Sequence, residues 1–245
     1  MSERRDETLA QAWEANASDW VRWARAPGHD TYWQFHRKAF LELVPPPGRL
    51  TLDVGCGEGR VARDLKALGH RVLAFDASPT LVRAAREADP DLEVVLADAA
   101  SLPLADAAAD LAVAFMSLMD MDDMDAAVRE IARVVEPGAR FVVAVVHPIN
   151  GAGAFANTAD PDGAFVITDS YFEKRRQRDR VERDGLRMTF ESIHRTFADY
   201  ANALIGAGFV IDAVREVTDE ADPRWRRVPL FLHLRARRGN ASQPG

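Results

Sequence analysis

Leu52-Asp53-Val54-Gly55-Cys56-Gly57-Glu58-Gly59 decides how this chain is read. An apolar run ends in an acidic residue, and glycine then takes every second position. The pattern predicts a strand entering a turn too tight for side chains. Glycine takes a positive φ freely and lets a ligand approach the backbone. Further on, Phe75-Asp76 ends a second apolar run. Strand, glycine turn, helix and a second strand tipped by a carboxylate make a nucleoside-binding βαβ unit.

Outward from this unit the hydrophobic pattern alternates. Strands are expected at 49–54, 71–75, 92–96, 111–115 and 141–146. Helices are expected at 60–68, 79–88 and 125–135, with Ser78 as an N-cap and Pro79 in the first turn. Such alternation implies a parallel sheet with helices on both faces. Beyond a loop rich in Gly, Ala, Asn and Pro, runs at 165–172 and 186–194 read as a hairpin around the charged stretch 173–185. A helix at 196–207 and strands at 210–217 and 230–237 close the sheet with an antiparallel edge. The first 45 residues read as two helices broken at Pro27-Gly28. Trp13, Trp20 and Trp23 share one face of the first. Pro45-Pro46-Pro47-Gly48 marks a boundary.

Composition narrows the function. A net charge of −7 argues against a general nucleic-acid or acidic-membrane binder, which carries a basic surplus. Cys56 is the one cysteine, so no intrachain disulfide can form and a reducing cytoplasm fits. The charged start, Met1 to Glu7, lacks the apolar core of a signal peptide, and no window has the length of a membrane span.

A dinucleotide enzyme shows G-x-G-x-x-G after its first strand. Gly55, Gly57 and Gly59 are spaced G-x-G-x-G, and Asp53 precedes them by two positions. A pyrophosphate would lie close to that carboxylate. A cofactor with a cationic end and no phosphate suits it better.

At these residues the chain resembles class I S-adenosylmethionine-dependent methyltransferases, small-molecule enzymes of the UbiE/type 11 group. Residues 52–60 look like the family's first motif, and Phe75-Asp76-Ala77-Ser78 like its ribose motif. Ala97-Asp98-Ala99 with Leu102-Pro103-Leu104 looks like the adenine motif. Residues 110–117 match the fourth strand and 135–141 the turn before the fifth. Gly138-Ala139 stands where Gly-Gly is common, and Phe115-Met116 is bulkier than usual. The resemblance implies an α/β, doubly wound, mainly parallel seven-stranded Rossmann-like sheet with an antiparallel edge strand. It also implies a helical lid over 1–45, one methyltransferase domain over 46–238 with an acceptor-side hairpin insertion at 148–195, and a disordered tail at 239–245. The implied cofactor is S-adenosylmethionine, leaving as S-adenosylhomocysteine. It would be held by Asp53, Gly55, Cys56, Gly57, Asp76, Ala77, Asp98, Ala99, Phe115 and Met116, with Tyr32 from the lid. Asp53 would serve the ammonium end, Asp76 the ribose hydroxyls and Asp98 the adenine amino group. The partner is a small-molecule acceptor methylated on O or N, with no nucleic acid, no membrane, and a monomer or homodimer as the assembly.

A general base is needed only for a hydroxyl or a protonated amine. His147, just after the fifth strand, is the leading candidate, with His194 and Tyr171 behind it. The alternative for each is a structural role in packing or backbone hydrogen bonding. His36 reads as a packing histidine. Asp120, Asp122, Asp123 and Asp125 invite a metal reading, but Asp122 or Asp123 as a helix cap accounts for them, and no metal is expected. Residues 174–180 are basic with acids interleaved and read as a solvated hairpin tip. Cys56 reads as a small residue tolerated beside a ligand rather than a reactive thiol. Two other functions stay open: a nicotinamide-dependent oxidoreductase, and a non-catalytic cofactor-binding module of the same fold.

Overall fold

The computed structural model describes residues 7–240. The charged start up to residue 6 and the last five residues of the expected tail lie outside the described residues. The core is a seven-stranded sheet. Its first five strands in the chain are β1 Thr51–Val54, β2 Val72–Asp76, β3 Glu93–Leu96, β4 Ala109–Phe115 and β5 Val135–Val146. They lie side by side in parallel in the order β3-β2-β1-β4-β5. β1 is buried along its whole length, as a central parallel strand between two helical layers must be.

The helices between these strands are α3 Arg60–Ala67, α4 Pro79–Ala88 and α5 Met124–Val134. They follow α1 Leu9–Arg25 and the short α2 Arg37–Leu41. A wide π-helical turn, Tyr32–His36, runs straight into α2 and accounts for the long helix expected there. Ser78 caps α4 by accepting from Leu81 N, and Asp123 caps α5 by accepting from Ala126 N. Asp122 instead accepts from Leu9 N at 2.8 Å, at the start of α1.

The C-terminal third differs from the sequence reading in one respect. The run at 165–172 does not partner the strand at 186–194. A short β6, Gly153–Phe155, pairs with β7, Phe165–Ile167. The hairpin is β8 Arg175–Arg183 against β9 Leu186–His194. The basic stretch is therefore a strand and not a solvated tip. Its turn is Asp184-Gly185, both at positive φ (50° and 77°), the Asp-Gly pair that matches hairpin twist. β8 has no apolar alternation because charge pairing replaces it: Arg176 and Arg178 each reach the buried Glu191 at 2.6 Å.

After α6 Phe197–Gly206 come β10 Phe209–Val217 and β11 Phe231–Arg238. β11 inserts between β5 and β10 and is antiparallel to both. α5 and α6 pack on one face of the sheet through Ile131 and Leu204, and α3 and α2 on the other through Leu65 and Phe40. A third apolar cluster joins α1 to the hairpin: Trp20, Trp23, Leu81 and Met188, with Phe190 against them. The N-terminal helix thus lies across the hairpin, over the carboxyl ends of the parallel strands.

Candidate functional site

The glycine turn is fastened from two sides. Gly55 N and Cys56 N both donate to Phe75 O, at 2.8 and 2.9 Å, which ties the turn to β2. Gly57 N donates to Asp76 Oδ2 at 2.8 Å, and Ser78 N donates to Asp76 Oδ1 at 2.9 Å. Gly55 has φ +74°, and a Cβ there would stand 2.4 Å from the Cβ of Ser117. The turn therefore rests directly on the loop after β4, and Ser117 Oγ donates to Val54 O at 2.7 Å to hold that contact.

Above this floor lies a cavity of about 880 Å³. Gly55, Gly57, Asp76, Ala77, Asp98 and Ala99 line it, together with Phe115 and Met116 at the end of β4. Trp13, Trp20 and Trp23 of α1 form a roof with Phe190 of β9. Beyond Met116 the wall continues through Asp120, Asn150, Trp225 and Phe231. These residues come from distant parts of the chain and meet because parallel strands deliver their carboxyl ends to one edge.

Asp53 lies behind the turn, off the wall and 1% exposed. Its Oδ2 has no hydrogen-bond partner. Burial pushes its pKa up to about 7; the Arg60 guanidinium pulls it down and the Asp76 carboxylate pushes it up further. Burial also raises Asp76, against the hydrogen bonds from Ser78 and Gly57. An orphaned buried carboxylate oxygen under a glycine cradle fits a ligand with a cationic group at that end. Two further carboxylates at successive strand ends fit its hydroxyl and amino donors.

Several expected site residues sit elsewhere. Tyr32 is fully buried, off the cavity wall; its hydroxyl donates to Asp64 at 2.5 Å and its ring packs on Phe115. Cys56, expected beside the ligand, is buried within the turn and off the cavity wall, and desolvation pushes its thiol well up, against a reactive thiol. None of the three base candidates lines the cavity. His147 accepts from Ile149 N at 3.2 Å and meets Glu216 at 3.2 Å, so it caps the turn after β5. Burial lowers its pKa, and Glu216 opposes this. His194 is buried against Tyr171 O at 2.8 Å, and Tyr171 Oη accepts from Phe197 N at 3.1 Å. The structural alternative describes all three. His36 is buried with neither ring nitrogen partnered, and burial drops its pKa to about 2, as a neutral packing histidine.

Two features escaped the sequence. Arg60 and Asp30 form a buried pair at 2.8 Å, with the guanidinium 4.8 Å from the Trp20 ring centre. Only the fold brings them together. Asp120 faces the cavity; its place just past β4 was visible, but the neighbouring aspartates made it read as part of a capping cluster.

Residues 52–143 match the methyltransferase domain family. A stretch of 122 residues is 34% identical to a probable S-adenosylmethionine-dependent methyltransferase of Mycobacterium tuberculosis, covering 49% of this chain and 44% of that protein. Another of 117 residues is 38% identical to a demethylmenaquinone methyltransferase of Corynebacterium kroppenstedtii, covering 47% and 49%. The chain thus spans less than half the length of the curated relatives it matches. An S-adenosylmethionine-dependent methyltransferase from Mesorhizobium loti superposes with a TM-score of 0.68 at 28% identity, over 85% of this chain and 98% of that one. Residues 52–143 match a methyltransferase domain, and the chain is similar in sequence over that region, and in fold, to S-adenosylmethionine-dependent methyltransferases.

Proposed function

We propose that this protein transfers a methyl group from S-adenosylmethionine to an O or N atom of a small-molecule acceptor. The observation that carries the reading is the grouping of three carboxylates around one glycine turn near three strand ends: Asp76 and Asp98 on the cavity wall and Asp53 buried behind the turn. The cofactor supplies an activated methyl on a sulfonium, so the protein's task is to position and to exclude water. Asp76 would accept from the ribose hydroxyls and Asp98 from the adenine amino group, while the Asp53 carboxylate offsets the positive amino-acid end. Phe115 and Met116, at the end of β4, and the tryptophans of α1 line the same cavity.

The cavity is large within the roughly 300–1,000 Å³ of ligand sites, which favours cofactor and acceptor together over a cofactor-only module. The Asp53 position and the G-x-G-x-G spacing count against a nicotinamide cofactor. Among the described residues no helix is long and apolar enough to cross a membrane. Titration calorimetry with S-adenosylhomocysteine and with NADH tests the reading. Saturable binding of the first and none of the second is expected; absence of S-adenosylhomocysteine binding sinks the proposal.

A further inference from the structure

Asp120 is an acidic group on the cavity wall that the cofactor reading leaves unused. It ends the short 3-10 turn Leu118–Asp120 after β4. That turn is held from behind by Arg195, which is buried and donates to the carbonyls of Met119 (3.3 Å), Met121 (2.6 Å) and Asp122 (3.4 Å). Among the described residues the Asp120 carboxylate has neither a hydrogen bond nor an ion pair within 4.0 Å. Burial pushes its pKa well above the ordinary range; Arg195 pulls it back and Asp76 across the cavity adds to it. Tyr200 of α6 faces the same two charges, Arg195 and Asp120. A carboxyl in such a place gains when a cationic donor arrives beside it.

The rest of the wall has the same preference. Its two arginines are engaged: Arg60 with Asp30 at 2.8 Å, and Arg183 with Gly28 O at 2.7 Å while lying 5.9 Å from the Trp23 ring centre. Asp179 of β8 adds a second carboxyl raised by burial. Trp13, Phe190 and Trp225 also line the cavity, and aromatic rings attract cations. Among the described residues an anionic acceptor would meet like charges on this wall, with both lining arginines already engaged.

We propose that the acceptor is a small organic amine, bound as its ammonium with an N–H directed to Asp120. This rests on reading the cavity as a methyl-transfer site. Asp120 first accepts the hydrogen bond and then takes the proton. The N–H bond breaks, its electron pair stays on nitrogen as the nucleophilic lone pair, and an O–H bond forms on the Asp120 carboxyl.

The test is calorimetry on the protein saturated with S-adenosylhomocysteine. The probes are phenethylamine and tryptamine, the alcohols 2-phenylethanol and tryptophol, and the acids 3-phenylpropionate and indole-3-propionate. At least one amine should bind about tenfold or more tighter than its alcohol, and the acids should give no heat. Asp120→Asn should weaken the amine by about tenfold or more, leave the alcohol unchanged and leave S-adenosylhomocysteine affinity intact. Amines no tighter than alcohols, binding of the acids in preference, or amine affinity indifferent to Asp120→Asn would overturn the inference. The probe series on the unsubstituted chain decides the matter even if the variant fails to fold. Failure of S-adenosylhomocysteine itself to bind overturns the methyl-transfer reading instead, so the two failures are distinguishable.

Discussion

At Asp53 an acid is held where ionisation is costly. Its folded pKa is pushed from an ordinary 3.8 up to about 7, chiefly by burial. An acid raised on folding contributes stability that is full below the unfolded pKa and is lost as pH rises through the folded one. Between pH 5 and pH 8 the protein without ligand should therefore lose roughly 2–3 kcal/mol relative to Asp53→Asn, read from urea unfolding of both at each pH. A difference that does not change over that range would mean that Asp53 is ionised throughout. Gly55 shows the opposite economy, a position defined by space. Gly55→Ala puts a Cβ at φ +74° and 2.4 Å from Ser117, and should cost about 2–4 kcal/mol in the same unfolding assay. Asp76→Ala removes both the clasp on Gly57 and the expected ribose acceptor, and should weaken S-adenosylhomocysteine about 10- to 100-fold by calorimetry. These positions were legible in the sequence because each need is local: a glycine where φ is positive, a carboxylate where a parallel strand stops. For His147, His194 and Tyr171 the sequence left a catalytic and a structural role open, because a base is defined by what it faces. Their neighbours, Glu216, Ile149 and Phe197, are fixed only by folding.

The β8–β9 hairpin is an element whose stability lies in charge. Glu191 is 4% exposed and receives both Arg176 and Arg178, while its carbonyl accepts from Trp13 Nε1 at 3.0 Å. Glu191→Ala leaves two half-exposed guanidinium groups without their partner, at a cost of about 2 kcal/mol once solvent screening is allowed for. That loss should appear first as local opening, with faster proteolysis near Asp184-Gly185 and little change in cleavage elsewhere; uniform sensitisation would show that the hairpin does not open by itself. The same element marks where sequence reading ended. The βα alternation from Thr51 to Val146 declares itself by apolar period, and the strands appear where expected. β8 has no such period, and the apolar run that took its place belongs to β7, bonded to β6 instead. The Asp184-Gly185 turn was the available signal, outweighed by the charge around it.

Taken whole, the molecule closes its cavity with parts that the chain keeps far apart. α1 is tied to three of them: Leu9 N to Asp122, Trp13 to Glu191, and Glu14 to Ser78 and Thr80 at the start of α4. Those contacts surround the same space that the glycine turn floors, so a ligand on the floor should be felt at the roof. A ligand at about 100 times its Kd stabilises by about 2.7 kcal/mol, which for a chain of this size raises Tm by roughly 5–10 °C. Differential scanning fluorimetry with S-adenosylhomocysteine should give that shift, and NADH should give none. Hydrogen exchange then separates a lid from a fixed brace. If α1 opens to admit the cofactor, its amides exchange through local opening in the free protein and slow when S-adenosylhomocysteine is bound, together with those of Gly55 to Gly59. Protection confined to the glycine turn, with α1 equally slow in both states, would make α1 a permanent wall.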